Sequence, residues 1–429
     1  MKRKFILFLV IMLLLNTYSY AQENLNIIGN GAILIDYDSG AVLYEKNMHE
    51  KLYPASTTKI MTAILAIEHG FQFDKMDDMV TVDPEVISLT YGSHIALDYD
   101  EQMSFEDLLH ALMIASANDA ALALGKHVAG SIEGFVEMMN QKAKELGALN
   151  TNFANPNGLH DDNHYTTAYD LSLIAQYAMA NDYFRELSSK SSYTIEPTNK
   201  KTEPRYLYST NSFFYGNNTI NLNGRTVPIK YDGVIAGKTG YTGDAGNCLV
   251  TLAERNSQKL LTVVLKSNGT EVYADTHKLL NYGFNSFDKI VVGHANEFID
   301  NVEIENGTLP YASIVIDKDV NYTLKSEDAG RITRKININE NIKAPVTKGD
   351  IVGNVEYYLD ETLIGSGDLV STIDVSEVPP VKLYQRILDK WYLVVFALMI
   401  ILRSVYLFNK SKKRRRRRSS RVYSYNNFN

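Results

Sequence analysis

A serine hydroxyl is a weak nucleophile until a neighbouring base takes its proton, and Ser56-Thr57-Thr58-Lys59 sets an amine three residues from a hydroxyl. On a helix those two positions share a face, so the Lys59 amine can reach Ser56. A helix starting near Ser56 would also turn backbone N–H groups and its positive dipole end toward a developing oxyanion. Alone, such a quartet is more often a helix cap followed by an exposed lysine.

Two further triplets supply what a serine nucleophile lacks. Ser116-Ala117-Asn118 offers a hydroxyl that can relay a proton between lysine and leaving group, and an amide that can hold a peptide carbonyl. Lys238-Thr239-Gly240, in a β-prone run, pairs a cation and a hydroxyl suited to a terminal carboxylate, while Gly240 leaves room for a ligand backbone. Each by itself reads as an ordinary cap or turn. In this order, separated by about 57 and 120 residues, the three are far more specific.

Other chemistries find little support. Cys248 is the single cysteine, which excludes an intramolecular disulfide and a cysteine-based zinc site. Nine histidines are present without a His-Glu-x-x-His spacing, so no metal site is expected.

The three triplets together resemble those of penicillin-binding proteins and class A β-lactamases. The finer resemblance is to the low-molecular-mass D-alanyl-D-alanine carboxypeptidases, peptidase family S11. It is carried by Tyr53-Pro54-Ala55-Ser56-Thr57-Thr58-Lys59, Ser116-Ala117-Asn118-Asp119-Ala120, Asn155-Pro156-Asn157-Gly158-Leu159 with His164-Tyr165, and Gly237-Lys238-Thr239-Gly240-Tyr241-Thr242 through Ala245-Gly246-Asn247-Cys248. These segments span most of residues 30–285.

That resemblance implies Ser56 as the acylated nucleophile, Lys59 as its base and Ser116 as an aid to proton transfer. It implies Asn118 on the substrate, Lys238 and Thr239 on its terminal carboxylate with Gly240 beside them, and the N–H groups of Ser56 and Tyr241 as an oxyanion hole. The implied substrate is a peptidoglycan stem peptide, with β-lactam antibiotics as covalent inhibitors and no cofactor. A β-lactamase would commonly carry a glutamate on a dedicated loop, and residues 155–165 contain none. A non-catalytic peptidoglycan-binding or sensor protein would need the carboxylate grip but neither nucleophile nor base. A D,D-endopeptidase or transpeptidase would share the acyl-enzyme, so the acyl acceptor stays open. His164 is expected as a packed polar residue beside Tyr165, and Cys248 as a small apolar one.

The positioning elements follow from apolar periodicity. Residues 32–36 and 41–45 read as a hairpin, and residues 236–242, 246–254 and 259–265 as later strands. Between them lie helices: one from about Ser56 stopped at Gly70, one capped by Ser104 with Asp107, and one ending at Gly147. A further helix is expected over residues 272–282. Strands at both ends with helices between predict an α/β (α+β) fold, a β-lactamase/transpeptidase-like domain whose first and last strands meet in one antiparallel sheet flanked by helices. The expected division is a catalytic domain over residues 22–284 and a small β-rich domain over 285–378.

The ends point to a membrane. Lys2, Arg3 and Lys4 precede an apolar run over residues 5–15 and then Ser19-Tyr20-Ala21, so residues 1–21 are expected to be a cleaved signal peptide. Residues 381–408 are expected to form a membrane-anchoring helix, and the basic residues 409–429 a cytoplasmic tail. An interfacial helix is the alternative for the anchor. Outside residues 1–21 and 403–429 the chain holds 43 − 13 = 30 basic against 50 acidic residues, a formal −20 that disfavours nucleic acid as a partner. The arginine run instead suits membrane topology and anionic lipid.

Overall fold

The computed structural model describes residues 24–380 and 390–423, with side chains as far as 416. The expected signal peptide and residues 381–389 of the expected anchor lie outside the described residues. Two compact units are present: residues up to Ala295 with Lys318–Ile336 and Val355–Gly367, and Asn296–Asp317 with Asn337–Asn354 and the chain from Asp368 onward.

The first unit is built on five antiparallel strands, β1 (Gly31–Asp36), β2 (Val42–Lys46), β3 (Val234–Thr242), β4 (Gly246–Arg255) and β5 (Gln258–Ser267), in the order β2-β1-β5-β4-β3. The first and last strands are neighbours as expected, with Gly31 opposite Leu265 and Asp36 opposite Leu260. Period two then sorts the side chains. Ile33, Ile35, Val250, Leu252, Leu261 and Val263 face one core, whereas Ala32, Leu34, Leu249, Ala253, Leu260 and Val264 face the other. Burial on both faces explains why these strands read as nearly continuous apolar runs.

Helices α1 (Lys59–Gln72), α2 (Phe105–Ile114), α3 (Asn118–Ala129), α4 (Ile132–Glu145), α5 (Ala168–Ala180) and α6 (Asp182–Ser189) contribute to the larger core. Helix α7 (Glu271–Ser286) covers the opposite face through Val272, Leu279 and Leu280. Ser104 caps α2 as expected, accepting from the Asp107 N–H at 3.0 Å. Gly147 follows α4 with φ +80°.

Two expectations about α1 need correction. Residues Ala55–Thr58 form a 3₁₀ turn, and the α-helix begins only at Lys59. Gly70 does not stop this helix, which continues to Gln72; a β-carbon there would meet the Met76 sulfur at 2.4 Å, so close packing explains the glycine.

In the second unit, β6 (Phe298–Glu303) pairs with β7 (Tyr311–Ile316), and Ile314, Val315 and Ile316 pair in turn with Ser371, Val370 and Leu369. Ala312, Ile314 and Ile316 alternate into its core. Helix α8 (Trp391–Tyr423) is 33 residues long and continues through the lysine and arginine run instead of ending at Phe408. Its residues 391–416 are long and apolar enough to cross a membrane, and none of that stretch is buried.

Candidate active site

The 3₁₀ turn decides the geometry around Ser56. Residues i and i+3 eclipse in such a turn, and Lys59 Nζ lies 2.9 Å from Ser56 Oγ. Ala55, just before, has φ +49°. A non-glycine residue in the left-handed region needs its surroundings to hold it there. Gly158 supplies part of that support: with φ +82° it lies so near that a β-carbon would stand 2.0 Å from the Ala55 carbonyl oxygen.

The Lys59 side chain is fully buried, yet its amine has three oxygens within reach. Beside Ser56 Oγ these are Asn118 Oδ1 at 2.6 Å and the Asn157 carbonyl oxygen at 2.6 Å. Burial drives its pKa well below the ordinary lysine value, the positive charge of Lys238 adds to that, and Asp119 opposes it. A neutral amine has two N–H donors and one lone pair. The two carbonyl-type oxygens take the N–H groups, which leaves the lone pair for the Ser56 hydroxyl.

Ser116 sits in the short link between α2 and α3 with φ +56°, and its Oγ accepts from Lys238 Nζ at 2.9 Å. Asn118 opens α3, its N–H donating to the Ser93 carbonyl at 2.7 Å and its Nδ2 to the Tyr91 carbonyl. Asp119 fixes the same loop by accepting from the Ile95 and Leu97 N–H groups. Ser56 of the first motif and Asn118 of the second therefore meet at the Lys59 amine.

Strand β3 carries the third triplet to the same place. Lys238 is fully buried, and burial lowers its pKa to about 7. Thr239 Oγ1 lies 2.9 Å from Thr210 Oγ1. At Gly240 a β-carbon would come within 3.0 Å of the Ser56 nitrogen and 2.9 Å of the Pro54 carbonyl oxygen. Tyr241 is 65% exposed at the rim. Ser56, Ser116, Thr239, Gly240 and Tyr241 line one cleft of about 270 Å³, with Thr210, Ser93 and Tyr273. All eight residues expected from the sequence thus converge: five line the cleft, the two lysines bond to Ser56 and Ser116 of that lining, and Asn118 bonds to Lys59.

Sequence reasoning missed three contributors. The Asn157 carbonyl on Lys59 carries no residue-type signal, since any residue has one. Thr210 had no motif around it. His164, expected as a packed polar residue, is a buried connector: its Nδ1 accepts from the Ala154 N–H at 3.1 Å, so Nε2 carries the proton and donates to Thr58 Oγ1 at 2.8 Å. Burial lowers its pKa to about 4. Cys248 packs as expected, buried, with its thiol pushed up to about 12. Among the described residues no group of His, Cys, Asp or Glu is arranged to hold a metal ion.

Residues 18–269 match the family profile described as D-alanyl-D-alanine carboxypeptidase, and residues 287–377 match that described as penicillin-binding protein 5, C-terminal domain. The chain is 32% identical over 364 residues to the D-alanyl-D-alanine carboxypeptidase DacF of Bacillus subtilis, covering 84% of this chain and 89% of the relative. It is 30% identical to DacA of Haemophilus influenzae, covering 80% and 84%. The solved penicillin binding protein 5 from Haemophilus influenzae superposes with a TM-score of 0.64 at 28% identity, covering 82% of this chain and 98% of that one.

Proposed function

We propose, since the chain belongs to the D-alanyl-D-alanine carboxypeptidase family of serine peptidases, that it removes the terminal D-alanine from peptidoglycan stem pentapeptides through an ester on Ser56. The observation that carries this reading is the Lys59 amine, tied to Asn118 and Asn157 and 2.9 Å from Ser56 Oγ.

The steps follow from that arrangement. Lys59 Nζ takes the Ser56 hydroxyl proton as Oγ bonds to the carbonyl carbon of the penultimate D-alanine. The N–H groups of Ser56 and Tyr241 hold the oxyanion, a task in which losing one donor commonly costs about 3 kcal/mol of barrier. The C–N bond then breaks, and the proton on Lys59 passes by way of Ser116 to the departing amine. Asn118 holds the peptide, while protonated Lys238 and the Thr239 hydroxyl hold the terminal carboxylate. Water attacks the ester, Lys59 takes its proton, and Ser56 is regenerated. A β-lactam enters at the first step, its ring amide opening onto Ser56.

The anchoring of Lys59 favours this over a β-lactamase, because the turn at Asn155–Leu159 offers it a backbone carbonyl where a water-activating carboxylate would be needed. A buried amine 2.9 Å from the Ser56 hydroxyl supports a nucleophile and its base, which a pure peptidoglycan-binding protein would not require. We place the catalytic domain over residues 22–284 and the β-rich domain over 285–378. The apolar part of α8 supports a membrane anchor, with the basic tail in the cytoplasm and the cleft outside the cell. The deciding assay incubates the full chain in detergent with a peptidoglycan pentapeptide and follows D-alanine. Release without shortening of cross-linked dimers supports a carboxypeptidase; dimer cleavage as the main activity overturns it in favour of an endopeptidase.

A further inference from the structure

The cleft is small, whereas a peptidoglycan stem is attached to a polymer that must lie somewhere on the surrounding surface. One wall of the cleft leads directly onto an aromatic face. Thr210, which lines the cleft and touches Thr239, is two residues beyond Tyr208, a step of at most about 7 Å along the chain. Tyr208 and Tyr206 alternate outward on the strand Arg205–Tyr208, with Leu207 buried between them. Tyr215 lies against Tyr208, ring centroids 5.1 Å apart and tilted by 34°. The three rings are 65%, 53% and 45% exposed for Tyr206, Tyr208 and Tyr215.

The backbone beneath this face is anchored at both ends. At one end Arg205 donates to both Glu101 oxygens, at 2.7 and 2.9 Å, and Glu101 is fully buried. At the other, the Ser209 and Thr210 N–H groups donate to the Ser191 and Ile114 carbonyls. Asn211 then closes the turn that returns Tyr215, accepting from the Phe214 and Tyr215 N–H groups. Three exposed tyrosines on an anchored backbone offer large, flat contact area at low conformational-entropy cost, two χ angles each. Flat rings with hydroxyl tips suit a neutral ligand that has both apolar faces and hydroxyls, which is the chemistry of a pyranose ring.

We propose that Tyr206, Tyr208 and Tyr215 form a glycan-binding platform continuous with the cleft, which stacks sugar rings of the peptidoglycan polymer. Thr210 links it to Thr239, the proposed carboxylate grip, which puts it toward the leaving-group side. The strand it holds is therefore a neighbour of the one whose peptide acylates Ser56. This rests on the D-Ala-D-Ala reading of the cleft, but sugar binding can be measured without it.

The test uses the full chain in detergent, with chitotetraose, a neutral tetramer of N-acetylglucosamine bearing no peptide, as the binding probe. The double substitution Tyr208→Ala with Tyr215→Ala should weaken chitotetraose binding at least five-fold by ligand-observed NMR, whereas Tyr208→Trp should preserve it and Tyr311→Ala, on the second unit, should have no effect. In activity, the double variant should raise KM about five-fold on polymeric peptidoglycan and leave soluble pentapeptide turnover and penicillin acylation unchanged. Unchanged sugar binding overturns the platform, as does an equal loss on polymer and pentapeptide. A parent chain that binds chitotetraose through these tyrosines but neither acylates nor releases D-alanine upholds the platform and sinks the carboxypeptidase reading.

Discussion

Gly240 and Ser56 are in backbone contact: a β-carbon on Gly240 would stand 3.0 Å from the Ser56 nitrogen. The strand that brings Lys238, Thr239 and Tyr241 is pressed onto the turn that carries the nucleophile, with no side chain between. Such an approach is open only to glycine, and Ser56 and Tyr241 both line the resulting cleft.

Gly240→Ala should therefore slow acylation more than it disturbs folding. The added methyl meets backbone atoms of Pro54, Ser56 and Thr57, which cannot swing aside as a side chain would. Separating strand from turn misplaces an oxyanion donor, for which a loss of about 10²-fold or more is expected, while overpacking costs roughly 1–3 kcal/mol of stability. Acylation by a fluorescent penicillin at the parental rate would refute this account of the glycine.

Lys59→Ala should abolish acylation while the fold persists. Lys59→Arg should do the same for a different reason, because a guanidinium keeps its proton at every working pH and cannot act as a base. Rapid penicillin labelling of either variant would remove Lys59 from the base role.

The two lysines also set a pH profile with opposite limbs. Lys59 must be neutral, so acylation should rise with pH through its depressed pKa. Lys238 must be charged to hold a carboxylate, so binding should weaken as pH climbs past about 7. A bell-shaped second-order rate constant for benzylpenicillin is expected, its alkaline limb falling near pH 7 and its acid limb set by the depressed pKa of Lys59. Lys238→Arg should lift the alkaline limb and spare the acid one; an unchanged alkaline limb would mean another group causes it.

How much of this was legible beforehand depended on whether the signal lay in side-chain type or in backbone geometry. The sheet could be read because β1, β4 and β5 are apolar on both faces and bounded by turns. The triplets could be read because a nucleophile, an amide and a cation have few substitutes. The 3₁₀ turn at Ala55–Thr58 could not, since its conformation depends on Gly158 and Gly240 pressing from distant parts of the chain. Nor could the Asn157 carbonyl or the exchange between Thr210 and Thr239, which arise only once separate loops are packed together. His164 looked like a packing residue because its partner Thr58 is 106 positions away.

That histidine yields a prediction about stability. Its folded pKa of about 4 lies below the 6.5 of an exposed imidazole, because burial disfavours the charged ring. In the window between, the unfolded chain binds a proton that the folded one refuses, so stability is complete above pH 6.5 and falls as pH drops toward 4. The loss for this one group is about 3 kcal/mol at 1.36 kcal/mol per unit. His110, also lowered to about 4, adds to the same fall. His164→Gln can still donate to Thr58 but leaves the Ala154 N–H without its acceptor, so it should be less stable than the parent at pH 7.5 by roughly 1–2 kcal/mol. It should then lose less between pH 6.5 and 4, and the two curves should converge. Thermal midpoints measured across that range check both halves, and parallel curves would mean that His164 takes up its proton as readily in the folded protein as in the unfolded chain.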